Sequence, residues 1–359
     1  MKIILYLLSA AAVFRLGEDS DIQPSHLIVP FVTISMIIVA FFRFSKFKLD
    51  LSHKILIFCA SFFFFRNIAE VILSQLIAIT PNALYWINFA LLLILMNNLM
   101  KEEEWGFLVK ALIFNVLVSS LIALYQLYTS FPVRARGLSG TENHLAMQIV
   151  HVSLIYIIFN KKSNYLVNFL RVLGLATLSR AYMIHLAIVF LKTKIWVFVL
   201  GAFVVLTVLV SASDKFVFLA SEFESIEFLA KRLDFENNSS DQDGRGYLRI
   251  LHNPHYFIYG ASEVVRNFDG DPFFGQIHSN FLSLAFCFGI PGIFFSILVL
   301  WKTYLKVGLV LSLSYLLYSL SVYFYSNAIF LIFTAFLFRG NCARANFISG
   351  ALLGKFTLR

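Results

Sequence analysis

Residues 281–300 read FLSLAFCFGIPGIFFSILVL, twenty consecutive positions without a charged side chain. A run of that length matches the ~17–25 residues that an α-helix needs to cross a bilayer. In its middle stands Gly289-Ile290-Pro291-Gly292, an interruption by glycine and proline. Non-helical backbone at membrane depth is tolerated only where it is buried in protein or lines a cavity. The stretch therefore predicts a membrane span with an interruption near a functional region.

Working outward, the same pattern recurs. Apolar runs at 25–42, 55–80, 83–100, 107–129 and 195–212 are each close to span length, and shorter ones lie at 3–16, 144–159, 165–178, 181–191, 307–325 and 328–338. Composition agrees: 59% of residues are hydrophobic and 14% charged, with 41 Phe and a mean hydropathy of +0.80, against about 45–50% and about 25% in soluble domains. The fold class is all-α, a polytopic membrane protein of about twelve transmembrane helices with one large outward loop. The first run has a signal-peptide look, with Lys2 and the small residues Ser9 to Ala12, but more membrane follows it, so it is read as a span. Cys59, Cys287 and Cys342 show no paired spacing and suggest neither disulfide nor metal site.

Cations set the orientation. They gather at Arg43/Lys46/Lys48/Lys54, Lys161/Lys162, Lys192/Lys194, Lys302/Lys306 and Arg339/Arg344/Lys355/Arg359, and all of these fall on the cytoplasmic side under one topology. That topology puts both termini inside and divides the chain into N-terminal transmembrane helices (1–129), a first outward loop (130–143), further helices (144–212), a large outward loop (213–277), and C-terminal helices with a cytoplasmic tail (278–359). Residues 213–278 hold eleven acids and six bases, about −5, while the whole chain is +9. The basic isoelectric point thus reflects membrane-anchoring charge, and no basic stripe suited to nucleic acid is present. Within the large loop, 215–232 has helical spacing and 237–246 is loop-forming.

Several charges are not explained by topology. Arg66 and Glu70 stand four apart inside a span, as a mutual structural pair or as ligand-binding groups. Arg171 lies two turns into a span and is expected to snorkel toward the cytoplasm. On the outward side, SFPVRARGLSGTENH (130–144) carries Arg134, Arg136, Glu142, Asn143 and His144, LSRAY (178–182) carries Arg180, and DQDGRGYLRILHNPHYFIYG (241–260) carries Arg245, Arg249, His252 and His255. His278 and Asn280 then stand at the head of the run at 281–300. Single arginines and histidines at a membrane interface are commonly lipid anchors, yet these sit opposite to the inside-positive pattern.

Taken in order, Ser179-Arg180, Gly244-Arg245, Asn253-Pro254 through Gly260, and His278-Ser279-Asn280 followed by Gly289 and Gly292 resemble the O-antigen polymerase and O-antigen ligase superfamily, bacterial membrane glycosyltransferases of the GT-C type. RARGLSGTENHLA is similar to that family's Arg-x-x-Gly element. The likeness covers roughly Arg134 to Phe295, and it rests on order and spacing because no single motif is specific. One departure is HNPH, where Asn253 precedes the proline and histidines stand at 252 and 255.

The resemblance implies a bacterial inner-membrane enzyme with a periplasmic active site. Its donor would be a glycan on undecaprenyl pyrophosphate, transferred with inversion to a sugar hydroxyl. Arg180 and Arg245 suit the leaving pyrophosphate, since guanidinium forks bind phosphate and stay ionised. His278 suits the general base. Arg134, Arg136 and Glu142 would serve the second lipid-linked substrate, and Asn280, Arg249, His252 and His255 would bind substrate. No Cys/His cluster offers an obvious metal site, and metal-independent transfer without a cofactor is expected. The implied partners are undecaprenyl-pyrophosphate-linked oligosaccharides, membrane lipids and a chain-length regulator membrane protein. Short, Phe-rich members with an RARG-like first loop favour the polymerase. The alternatives are the ligase, which transfers to lipid A core, a polymerase of capsule or exopolysaccharide, and a lipid-linked oligosaccharide flippase.

Overall fold

The computed structural model describes residues 1–15, 23–43, 49–74, 80–130, 136–139, 141–161, 165–177, 179–191, 253–261, 279–322 and 327–339. The expected span at 195–212 and the expected helix at 215–232 lie outside them. Among the described residues every regular element is a helix: α1 Lys2–Val13, α2 Pro24–Arg43, α3 Leu51–Ser74, α4 Thr80–Leu99, α5 Glu102–Ser130, α6 Glu142–Asn160, α7 Tyr165–Leu173 continued by a 3₁₀ turn Gly174–Thr177, α8 Arg180–Leu191, α9 Tyr256–Tyr259, α10 Asn280–Phe288, α11 Ile290–Val307, α12 Leu309–Ser321 and α13 Ala328–Phe338.

Five of these segments are long and apolar enough to cross a membrane: Pro24–Arg43, Leu51–Leu73, Asn82–Leu99, Glu102–Thr129 and Ile290–Val307. Their outer faces carry Phe41, Phe42, Ile72 and Leu73, each at least 70% exposed. Water would not tolerate so much exposed apolar surface on a monomer, so the bundle is built for a lipid environment. The finer expectation of about twelve spans goes beyond these five.

At the centre stands α13, AIFLIFTAFLF, with all eleven residues buried. A helix apolar all round must be enclosed on all sides, and α1, α4, α6 and α11 enclose it. Aromatic rings fill the space beside it. Phe63 stacks on Phe288 at 4.0 Å, Trp86 meets Phe63 edge-on at 4.7 Å, and Phe89 and Phe295 close against Phe330. Offset and edge-to-face contacts of this kind add ~0.5–1.5 kcal/mol each beyond area burial.

Basic residues gather at one end of the bundle. Arg43 pairs with Glu104 at 3.0 Å, Arg339 pairs with Glu102, and Lys306 Nζ donates to Arg339 O at 3.3 Å. Glu102 and Glu104 stand at the start of α5, where acids also complement the helix dipole. The other end of α5, from Ser119 to Ser130, receives residues 136–139.

Two expectations need correction. Arg171 does not snorkel: it is 2% exposed, because it shares one helix face with buried Val167 and Leu170 at i, i+3, i+4 spacing and that face packs on α5 and α6. Its Nη1 donates to Asn168 Oδ1 at 3.2 Å, and its backbone carbonyl accepts from Tyr182 OH at 2.6 Å. The second concerns 281–300, which does not form one interrupted span. Gly289 ends α10 and begins α11 at φ 63°, ψ −141°, a conformation that glycine reaches far more readily than other residues. A side chain on Gly292 would lie 2.0 Å from Leu284 O, whereas eight residues of continuous helix advance ~12 Å. The chain therefore turns sharply, and only α11 has span length.

Candidate functional site

Residues 136–139 are sewn to three helices. Arg136 N and Gly137 N donate to Gln126 Oε1 at 3.2 and 2.9 Å, and Leu138 N donates to Ser119 Oγ at 2.9 Å. Gly137 has φ 57°, and a Cβ there would meet Ser119 O at 2.3 Å, so the Arg-x-x-Gly glycine lets the loop lie against α5. Ser139 Oγ donates to Gln148 Oε1 at 2.6 Å, while Gln148 Nε2 donates to Ala12 O and Val13 O at the end of α1. These bonds fix the backbone of 136–139 and leave the Arg136 side chain exposed.

Helix α6 begins next to this loop. Thr141 Oγ1 caps it, accepting from His144 N at 3.2 Å. Arg15 Nη1 donates to His144 Nε2 at 2.6 Å. Arginine can only donate, so Nε2 accepts and the ring proton sits on Nδ1, 2.9 Å from Thr141 Oγ1. Arg15 N also donates to Leu138 O at 2.9 Å.

From there the contacts reach two further helix starts. Ser179 Oγ donates to Asn143 Oδ1 at 3.3 Å, bringing the Ser179-Arg180 start of α8 to the Glu142-Asn143 start of α6. Tyr318 OH donates to Asn143 O at 3.4 Å, and the next residue on α12, Ser319, accepts through its carbonyl from Ser279 Oγ at 3.4 Å. Ser279 in turn caps α10, which begins with fully buried Asn280. The starts of α6, α8 and α10 thus meet around the last turn of α12. Each contributes the positive end of a helix dipole, an arrangement suited to anionic oxygen.

Of the residues singled out in the sequence, Glu142, Arg180 and Asn280 open the three converging helices, and Arg136 lies on the loop beside them. His255 is exposed, its ring 4.3 Å from Tyr256 and 5.7 Å from Tyr259. Its segment packs at the far end of α10 from Asn280, through Tyr256 on Phe286. Arg134, Arg245, Arg249, His252 and His278 lie outside the described residues, as does most of the large loop. Arg66 and Glu70 do pair, at 3.2 Å. Arg15 and Gln148 were missed. An arginine at the end of the first apolar run was the available signal for Arg15; Gln148, a polar residue inside an apolar run, gave none.

Beneath the junction a buried polar layer continues. His185 Nδ1 is 2.6 Å from Ser314 Oγ, and His151 Nε2 is 3.3 Å from Tyr315 OH. Among the described residues no group of three His, Cys, Asp or Glu side chains gathers as metal ligands would. No family model, curated protein or solved structure matches the chain.

Proposed function

We propose that this protein is a membrane glycosyltransferase that polymerises a surface polysaccharide, an O-antigen polymerase by the resemblance of its motifs. The growing glycan on undecaprenyl pyrophosphate is the donor, and a lipid-linked repeat unit is the acceptor. The observation that carries this reading is the meeting of three motif-bearing helix starts, through Ser179 with Asn143 and through Tyr318-Ser319 with Asn143 and Ser279. The Ser-Arg, Thr-Glu-Asn-His and Ser-Asn elements are far apart in sequence, and a shared substrate gives them reason to converge.

In this reading Arg180, joined by Arg245 from the large loop, binds the pyrophosphate oxygens and stabilises the charge that develops as the group leaves. The acceptor hydroxyl oxygen attacks the anomeric carbon from the opposite face. The bond from that carbon to the pyrophosphate oxygen breaks with its electron pair, and the configuration inverts. His278 takes the hydroxyl proton, while Asn280 holds the sugar or fixes the histidine ring. Arg134, Arg136 and Glu142, on and beside the first loop, hold the acceptor. Arg249 and His252 complete the substrate contacts from the large loop, whereas His255, at the far end of α10 from Asn280, stands away from them.

The lipopolysaccharide profile of a strain lacking this protein tests the reading. A core bearing a single repeat supports the polymerase. Loss of all O-antigen with lipid-linked polymer accumulating would make it the ligase. Absence of lipid-linked material at the outer face would make it a flippase. An unchanged profile with loss of capsule would move the same chemistry to another polysaccharide.

A further inference from the structure

Arg66 is a charge in the middle of α3 that topology does not require. Its guanidinium makes three polar contacts: Nε with Glu70 Oε1 at 3.2 Å, Nη2 with Gly260 O at 3.0 Å, and Nη1 with Tyr259 O. The last two reach 194 and 193 residues along the chain, into the large loop.

The height of these contacts matters. From Lys54, at the basic end of α3, the helix rises about 18 Å to Arg66, and any tilt brings the arginine nearer to the basic face. An extended side chain adds about one helical turn, ~5 Å. The hydrocarbon core is ~30 Å thick, so the carbonyls of Tyr259 and Gly260 lie below the loop-side boundary, within it.

Peptide groups at that depth must be satisfied by protein. Here they are: Tyr259 O and Gly260 O accept from Arg66, Gly260 N donates to Tyr256 O at 2.7 Å, and Ala261 N donates to Phe286 O at 2.7 Å. The fit is close, because a Cβ on Gly260 would meet Cys287 O at 2.4 Å and one on Gly289 would meet Ile258 O at 2.5 Å. Meanwhile Ile258 and Tyr259 are 61% and 58% exposed, as are Phe65, Ile72 and Leu73 on the helix that clamps them, at 67%, 70% and 84%. Such side chains belong in lipid, with the tyrosine hydroxyl toward the headgroups.

We infer that residues 253–261 form a re-entrant segment, seated in the leaflet on the loop side, whose partner is the acyl-chain region of the bilayer. Arg66, oriented by Glu70, is the clamp that holds it there. This placement does not depend on the reaction proposed above. The break at Gly289 has a matching purpose, since it opens the wall against which the segment lies.

Spin-label accessibility in the full chain tests this without an activity assay. With Cys59, Cys287 and Cys342 replaced by alanine, single labels are placed at Ile258, at Leu73 as a lipid-facing reference and at Ser239 as a loop reference, in phosphatidylethanolamine/phosphatidylglycerol vesicles. The label at 258 should behave like that at 73, colliding with oxygen more than with a nickel chelate. Arg66→Gln should raise nickel collisions at 258 several-fold and leave those at 73 unchanged. Arg66→Lys, which keeps the charge and loses the two-carbonyl fork, serves in its place if the glutamine variant is not recovered. A 258 label as nickel-accessible as that at 239 with Arg66 intact would overturn the membrane placement. Unchanged accessibility in both Arg66 variants would overturn the clamp.

Discussion

The hydroxyl of Ser179 donates to Asn143 Oδ1 at 3.3 Å across 36 residues of sequence, and this bond ties the start of α8 to the start of α6. It sets the backbone of Arg180 beside the start of α6. Ser179→Ala should cost only about 0.5–1.5 kcal/mol of stability, as for an ordinary hydrogen bond. Transfer should fall further, roughly tenfold to a hundredfold, because small misplacements of a binding group weigh heavily on rate. Melting in detergent and transfer of lipid-linked repeats, measured on the same preparation, separate the two effects; equal losses would make the bond purely structural.

Arg180→Lys and Arg245→Lys keep a cation and lose the bidentate fork. Each should lower transfer by roughly 10²–10³-fold, the scale for losing one electrostatic stabiliser, with normal membrane insertion. Complementation of a deletion strain reads this as chain length on a gel. Normal chain lengths from both variants would make these arginines lipid anchors.

His278→Gln keeps hydrogen bonding and cannot take up a proton near neutral pH, so transfer should drop about 10²–10⁴-fold while donor still binds. His255→Gln is the contrasting variant. His255 is exposed and lies among Tyr256 and Tyr259, at the opposite end of α10 from Asn280, so its replacement should leave most activity. The reverse outcome, or loss only in His252→Gln, would move the base to another histidine.

Gln148 satisfies two carbonyls at the end of α1 and the hydroxyl of Ser139 from inside the bundle. Gln148→Leu fits the volume and takes the side-chain donor from both carbonyls, while the Ser139 hydroxyl keeps Ser119 Oγ at 3.2 Å. At about 1–3 kcal/mol for each buried group left unpaired, the melting temperature should fall by several degrees. Gly292→Ala tests the turn between α10 and α11 and should cost roughly 1–3 kcal/mol as overpacking. Thermal melts that match the parent protein would argue against both contacts.

Helix positions were legible because length and apolarity are local properties. The run at 25–42 became Pro24–Arg43, and 328–338 became Ala328–Phe338. Direction was not legible. The apolar run at 281–300 says nothing of how far the chain bends at Gly289, since lipid-facing and protein-facing helices have similar compositions there. Arg171 was misread because burial depends on which face a neighbour covers. For Arg66 the pairing with Glu70 was local and visible, whereas its bonds to Tyr259 and Gly260 join distant parts of the chain. Arg15 with His144, 129 residues apart, was hidden for the same reason. The motif order pointed to Glu142, Arg180 and Asn280, whereas the links through Asn143, Tyr318 and Ser319 join residues 36 to 175 apart and leave no local pattern.

The shortness of α13 bears on how the protein is made. Eleven residues rise about 16 Å, roughly half of the hydrocarbon thickness, so lipid alone cannot hold this segment across a bilayer. Chains emerge and fold from the N-terminal side, and α1, α4, α6 and α11, which surround α13, are all synthesised before it. The last described helix thus enters a socket that earlier helices have already built. A defect in any of those four would then surface late in biogenesis, as a chain whose most apolar helix has no place to go and is exposed to membrane quality control.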